Sequence, residues 1–313
     1  MVDFSTTAFL FPGQGSQAVG MGKDLADAYP IAKETFEEAD DVMGVALSQM
    51  MFEGPEEALG DTAITQPAMY VHSVALLRVL WDMMPEARPT FVAGHSLGEF
   101  TALTAAGALD FAEGVALVQT RGGAMKLAGE QQPGGMAALL GLGIDDTHAL
   151  ITEASTSGVV VIANDNCPGQ VVISGEQSAL NAAVGIAKEK GAKRAIPLDV
   201  SVATHSPLMQ PAKDVFVEAL ASVTLSAPSM PIYQNVSAKA ETDSAIIKGN
   251  LEEQIVSSVR WRESMNAMIA DGAETFVEVG SKSVLTGLLR RIDRTKARYN
   301  VEDVKSLQEF IAK

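Results

Sequence analysis

Gly94-His95-Ser96-Leu97-Gly98 reads G-x-S-x-G, and its surroundings give that pattern a mechanical meaning. Thr90-Phe91-Val92-Ala93 before it has the character of a short buried strand. The Ala- and Leu-rich stretch from Leu97 to Leu109 after it has helical spacing. A serine between strand and helix, with glycine on both sides, is the sequence form of a nucleophile elbow. The turn is so sharp that only glycine tolerates the close backbone approach on either side, and it lifts the hydroxyl out of the sheet. The first N–H groups of the following helix then point at whatever the serine attacks. The competing reading is a plain strand-to-helix turn in which Ser96 only caps the helix.

A serine hydroxyl is a poor nucleophile until a neighbouring base takes its proton, and histidine is the usual base. The chain has four histidines. His72 lies inside an apolar helix, Tyr70 to Leu80, and reads as a packed or half-exposed helical residue. His148 follows Asp145 and Asp146 at a polar helix start and reads as a solvated surface residue. His95 adjoins Ser96, but their side chains diverge on a sharp turn, so it supports the elbow. His205 stands in Val200-Ser201-Val202-Ala203-Thr204-His205-Ser206-Pro207, where it either caps the next helix or reaches over a cleft to Ser96. It is the best base of the four. No Asp or Glu has a clear claim to orient it. Asp199 is near in sequence with uncertain reach, and a main-chain carbonyl would fix the imidazole tautomer equally well.

These groups need a scaffold, and the order of elements supplies one. Ala8-Phe9-Leu10-Phe11-Pro12 is a continuous apolar run leading into Gly13-Gln14-Gly15-Ser16-Gln17, the pattern of a buried strand and a Gly-rich loop. Helical segments run to Met84, and another helix spans about Phe111 to Leu127. Between Gly134 and Val200 the rhythm becomes β-α-β-β-α-β. The expected strands are Met136–Leu142, Val159–Ala163, Gln170–Ser174 and Arg194–Val200, with helices from Asp145 toward Ala154 and over Gln177–Lys190. Two further strands, Met230–Asn235 and Thr275–Val279, follow. The fold class expected is α/β: a large α/β-hydrolase-like domain of residues 1–130 and 200–313 with a mostly parallel sheet, carrying an inserted ferredoxin-like subdomain of residues 131–199. Reactive groups of such sheets gather at the carboxyl ends of strands, where Gln14, Ser96 and Asn235 fall.

Composition narrows the class of function. With 47% hydrophobic and 20% charged residues among 313, the chain reads as compact and globular. Its net charge of −16 argues against nucleic acid as a partner. No apolar run approaches a bilayer span, and Met1 to Leu10 lacks the basic residues of a secretory signal. The single cysteine, Cys167, cannot form an internal disulfide and fits a reducing cytoplasm; it reads as an inert thiol. No ligand cluster for a metal or redox cofactor is visible, so neither is expected.

Four motifs in register, Phe11-Pro12-Gly13-Gln14-Gly15-Ser16-Gln17, Gly94-His95-Ser96-Leu97-Gly98-Glu99, Arg121-Gly122 and Val200 to His205, resemble the malonyl-CoA:acyl-carrier-protein transacylase family of fatty-acid synthesis. Similar acyltransferase domains occur in polyketide synthases. The likeness runs from Phe9 to about Arg291, through Pro168-Gly169-Gln170-Val171-Val172-Ile173 and Glu278-Val279-Gly280. It implies that Ser96 is acylated and His205 is the general base, with the backbone N–H groups of Gln14 and Leu97 as oxyanion hole. It further implies a main-chain carbonyl at Gln254 holding the histidine, and an Arg121 that pairs with the free malonyl carboxylate. His95, Gln254 and Asn166 are expected beside Arg121 as substrate-binding residues. Without the resemblance, Arg121 reads as a helix residue in a surface ion pair. The chain departs from the family pattern at Ser257-Ser258, where Asn-Pro is expected, and at Ala203-Thr204 before the histidine.

The expected activity is therefore malonyl transfer from malonyl-CoA to the carrier's phosphopantetheine thiol, by a cytoplasmic monomer with coenzyme A thioester as substrate and no cofactor. Three alternatives share these features: a serine thioesterase or esterase, a discrete polyketide-type acyltransferase, and a non-catalytic docking subunit. Carrier proteins are typically acidic. Two basic clusters could receive one, Lys188-Lys190-Lys193-Arg194 and Arg290-Arg291-Arg294-Lys296-Arg298; solvated helix faces are the alternative reading of both.

Overall fold

The computed structural model describes residues 2–200 and 202–313; Met1 and Ser201, the latter within the stretch quoted above, lie outside them. In chain order the strands are β1 (Thr7–Phe11), β2 (Phe91–Gly94), β3 (Gly134–Leu140), β4 (Val160–Cys167), β5 (Gln170–Glu176), β6 (Arg194–Pro197), β7 (Ile232–Tyr233), β8 (Ala240–Glu241), β9 (Thr275–Val279) and β10 (Ala297–Val301). They form a six-stranded sheet, ordered β10-β9-β1-β2-β7-β8, and a four-stranded sheet, ordered β4-β5-β3-β6. The first sheet is parallel throughout except for the edge strand β8.

The apolar run of β1 explains how the larger sheet is covered. All five of its residues are buried. Phe9 and Phe11 pack into one core, together with Val92, Val277 and Val279. Ala8 and Leu10 point the other way, into a second core with Ala93, Phe276 and Trp261. Successive side chains of a strand alternate between faces, so a strand buried at every position must be roofed on both sides. The helices Thr62–Met83, Gly98–Ala105 and Phe111–Gln131 roof one face, and Trp261–Ala270 with Val284–Ile292 roofs the other. Helix Thr62–Met83 is buried on nearly every side from Thr65 to Leu77, which suits a helix apolar all round.

The smaller sheet is antiparallel, and its helices Ile144–Ala154 and Gln177–Ala187 pack on it through Leu139, Leu150, Ile173, Leu180 and Ala183. Its order is the ferredoxin-like one expected from the β-α-β-β-α-β rhythm. Several elements end earlier than expected. The helix after the elbow stops at Ala105, because Gly107 turns left-handed with φ +69°. Strand β6 stops at Pro197, and Leu198–Val200 leave the sheet. Strand β7 holds only Ile232 and Tyr233, freeing Gln234 and Asn235 to turn inward.

Strand β4 ties the smaller sheet to the segment around Val259 in the larger domain. Its pairing with β5 shifts register around Ala163 and Asn166. Such bulges bend a strand and re-aim its side chains. Val259 donates to the Ala163 carbonyl at 2.8 Å, and Asp165 N–H donates to Val259 at 3.0 Å. Arg262 grips the Asp165 carboxylate with two nitrogens, at 3.0 and 2.7 Å. Among the described residues, no helix is long and apolar enough to cross a membrane.

Candidate active site

Three neighbouring strands, β1, β2 and β7, end on one edge of the larger sheet, and the loops that follow them carry Gln14, Ser96 and Asn235. Ser96 sits at φ 52°, a left-handed backbone that non-glycine residues rarely adopt. Such a conformation costs about 1–3 kcal/mol and persists only where surrounding contacts hold it. Here they do. Ser96 N–H donates to Asn235 Oδ1 at 2.7 Å, and Asn235 Nδ2 donates to the Gly94 carbonyl at 2.7 Å. The flanking glycines are sterically required: a Cβ on Gly94 would overlap the backbone of Gly98, and one on Gly98 would overlap the Phe11 carbonyl.

Ser96 Oγ lies 2.9 Å from His205 Nε2. His205 also has a left-handed backbone, φ 59°, fixed in part by its N–H donating to Ile255 O at 3.0 Å. Its Nδ1 faces two carbonyls, Gln254 O at 2.9 Å and Ser257 O at 3.0 Å. Two acceptors at Nδ1 place the ring proton there and leave Nε2 as the acceptor for the serine proton. The orienting group is thus main-chain, as the missing acid suggested. Ser257 contributes only its carbonyl, so the departure from the family pattern at this position costs the site nothing. Asp199 is exposed and makes no hydrogen bond to His205. His72 is fully buried, His148 exposed, and neither approaches Ser96.

Arg121 is 1% exposed, against the surface ion pair that its helical setting alone suggests. Its Nη1 donates to Gln66 Oε1 at 2.7 Å, and its Nη2 donates to Gln254 Oε1 at 2.9 Å and to Ser96 Oγ at 3.2 Å. Burial lowers its pKa to about 10, with the charge of Glu99 opposing, so it stays cationic at neutral pH. Among the described residues no carboxylate forms a direct ion pair with it. A buried cation held by amide oxygens keeps its charge for an anionic ligand.

Gln14, Ser96, Leu97, Arg121 and His205 all line one cavity of 570 Å³, with Met125 and Met136 as apolar wall. That volume suits a small-molecule acyl group on a flexible arm. The backbone N–H groups of Gln14 and Leu97 have no hydrogen-bond partner among the described residues. Gly13 brings the Gln14 loop against the elbow so closely that a Cβ there would overlap the His95 carbonyl. Free donors beside the nucleophile are what an oxyanion needs.

Two of the residues expected to touch substrate stand behind the wall instead. Asn166 does not line the cavity. The bulge in β4 turns its Oδ1 to His95 Nε2, at 2.9 Å, while the His95 ring packs 5.3 Å from Trp261. Gln254 is fully buried and also absent from the lining; its side chain bonds Arg121, the Ser96 carbonyl and Glu99. His95 does reach the cavity, with burial lowering its pKa and the Asn166 bond opposing. Sequence reasoning missed Gln66, Met125 and Glu99. Gln66 was signalled by being a polar residue in a largely apolar helix, and Met125 by lying one turn beyond Arg121.

Fold and site together define an enzyme that exchanges acyl groups at a serine. The sequence profile of the acyl transferase domain family matches residues 8–308, and the chain belongs to that family. It is 44% identical over 305 residues to a malonyl CoA-acyl carrier protein transacylase of Bacillus subtilis, covering 97% of this chain and 96% of the relative. The structure of an acyl carrier protein S-malonyltransferase from Vibrio cholerae superposes with TM-score 0.94 at 44% identity, covering 98% of this chain and 100% of that one. A type II PKS acyl-carrier protein in complex with its malonyl-transacylase gives TM-score 0.94 at 41% identity, covering 97% and 98%.

Proposed function

We propose that the protein transfers a malonyl group from malonyl-CoA to the phosphopantetheine thiol of an acyl carrier protein, through a malonyl ester of Ser96, in fatty-acid biosynthesis. His205 Nε2 takes the Ser96 proton as Oγ attacks the thioester carbonyl. The tetrahedral oxyanion accepts from the N–H groups of Gln14 and Leu97. The carbon–sulfur bond then breaks, and His205 returns the proton to the departing coenzyme A thiolate. The second half-reaction runs in reverse with the carrier's thiol as nucleophile. These steps draw only on side chains and amides of one chain, and action as a cytoplasmic monomer without a separate cofactor is part of the proposal. Residues 131–199 act as a lobe closing one wall of the cavity, to which Met136, Asn164 and Leu198 contribute.

The observation that carries this reading is the buried Arg121, paired with amides and within reach of Ser96 Oγ. A malonyl carboxylate would satisfy it, whereas an acetyl group would leave the cation unpaired. Arg121→Ala should lower kcat/KM for malonyl-CoA by a hundredfold or more, the ~3–5 kcal/mol typical of a broken buried charge pair. Acetyl transfer should change by less than about tenfold, since it makes no use of that pair. Equal losses on both substrates would remove the carboxylate clamp.

The carrier's approach is supported by charge. Arg291 is spent on Gln170 and the Pro168 and Gly169 carbonyls, Lys296 on Glu274, and Arg298 on three carbonyls. Lys188, Lys193 and Arg194 are exposed, and Arg194 opens the strand that leads to Leu198 and Val200 at the cavity wall. Reversing Lys193 and Arg194 to Glu should raise the carrier KM several-fold, more at low salt, and leave the malonyl-CoA KM unchanged. An unchanged carrier KM would move docking elsewhere.

A further inference from the structure

Glu99 is a carboxylate that the proposed mechanism does not use, yet it is 1% exposed and sits one shell from Ser96. Its Oε1 accepts the Asn235 N–H at 3.3 Å, and its Oε2 accepts from Gln254 Nε2. The same Nε2 donates to the Ser96 carbonyl at 3.0 Å, while Gln254 Oε1 faces Arg121 Nη2 at 2.9 Å. One side-chain amide therefore stands between a carboxylate and a guanidinium, and only one of its two orientations satisfies both. Turned over, its NH₂ would meet the guanidinium donors and its oxygen would meet two acceptors. The Asn235 N–H is fixed by the backbone, so Gln254 is the partner that would have to turn.

We infer that Glu99 is a positioning residue: as an acceptor-only carboxylate it locks the Gln254 amide with its oxygen toward Arg121, and so gives the cavity its preference for a carboxylate-bearing acyl group over a neutral one. The inference rests on the reading of Arg121 as the malonyl clamp. A carboxylate placed directly on Arg121 would occupy the fork that the substrate needs; the interposed amide orients the guanidinium and leaves its charge available. Place in the first turn of helix Gly98–Ala105 also favours the ionised form.

Protonated Glu99 becomes a donor toward Gln254 and works against the productive amide orientation. Burial pushes its pKa up to about 7, with the Gln254 and Asn235 bonds and the charge of Arg121 opposing. The elements packed on it contribute Arg121 from helix Phe111–Gln131, Gln254 from helix Ser244–Gln254 and Asn235 from the loop after β7. Arg121 is the charged group among them; burial holds the His205 imidazole neutral and lowers the pKa of His95.

The test is the ratio of kcat/KM for malonyl-CoA to that for acetyl-CoA, from pH 5.5 to 8.5, in wild type and Glu99→Gln, with thermal unfolding as a check on folding. The wild-type ratio should fall about fivefold or more as pH drops through 7. Glu99→Gln should show a ratio at least about tenfold lower at pH 8 and flat with pH, because its neutral amide imposes no single orientation on Gln254. A flat wild-type ratio, or a Glu99→Gln protein that keeps the wild-type ratio, overturns the inference. Should that variant not fold, the wild-type profile decides alone. A wild type that shows no malonyl preference at any pH instead defeats the Arg121 reading.

Discussion

Replacing Ser96 with Ala is expected to lower malonyl transfer by about 10⁴-fold or more, with little change in binding of malonyl-CoA. The loss is large because Ser96 Oγ is, among the described residues, the hydroxyl within hydrogen-bond reach of His205 Nε2. Cys167 is buried, with its thiol pKa raised by that burial, and it does not line the cavity. Binding survives because Arg121 and the free amides of Gln14 and Leu97 are untouched by the change. Ala and Ser carry the same backbone penalty at φ 52°, so stability should stay within about 1 kcal/mol. The measurement is kcat beside an equilibrium Kd for malonyl-CoA. A variant with more than a few per cent of wild-type kcat would remove Ser96 from the chemistry.

His205→Ala should cost about 10³-fold in acylation rate, the range of a lost general base. Combined with Ser96→Ala it should cost no more than Ser96→Ala alone, since the two groups act as a unit. The pH dependence is as telling. Burial, and after it the positive charge of Arg121, lower the His205 pKa to about 3, with the Gln254 and Ser257 carbonyls opposing. The imidazole therefore remains a free base at pH 5, and kcat/KM for a donor with a neutral acyl group, such as acetyl-CoA, should not fall between pH 8 and 5. An acid limb near the ordinary histidine value of about 6.5 would contradict this.

The same shift has a stability consequence. The folded pKa lies below the unfolded one, so the unfolded chain takes up the proton first. Stability is lost as pH falls from about 6.5 toward 3. His72, lowered to about 4 by burial, acts in the same direction in wild type and variant alike. The His205→Ala protein should thus lose less stability than wild type over that window, read as the difference between the two unfolding curves. An equal loss would mean that His205 is solvated.

Much of this site was legible because its signals are local. The glycines around Ser96 and the apolar run Ala8–Phe11 of β1 each report a constraint within a few residues. The β-α-β-β-α-β rhythm needed only alternating periodicities. The rest of the site is non-local, and the resemblance to the family supplied Gln254 where local pattern did not. Gln254 lies 158 residues from Ser96, yet one residue bonds Ser96, Arg121, Glu99 and His205, three of them through its side chain and His205 through its carbonyl. Nothing near position 254 in the sequence announces that role. Asn166 was placed in contact with substrate because a bulge cannot be read from β-branched spacing, and the bulge turns it to His95. Glu99 stood in plain view inside the elbow motif. Its meaning depended on partners supplied by a distant loop and a different helix.

The most direct test is rapid quenching of wild-type protein with malonyl-CoA, followed by peptide mapping of the acylated residue and a chase with holo-carrier. The expected result is a malonyl ester on the Ser96 peptide that is stable to water on the mixing timescale and is discharged by the carrier's thiol. A malonyl group on any other residue, or an ester that hydrolyses equally fast with and without carrier, would contradict it.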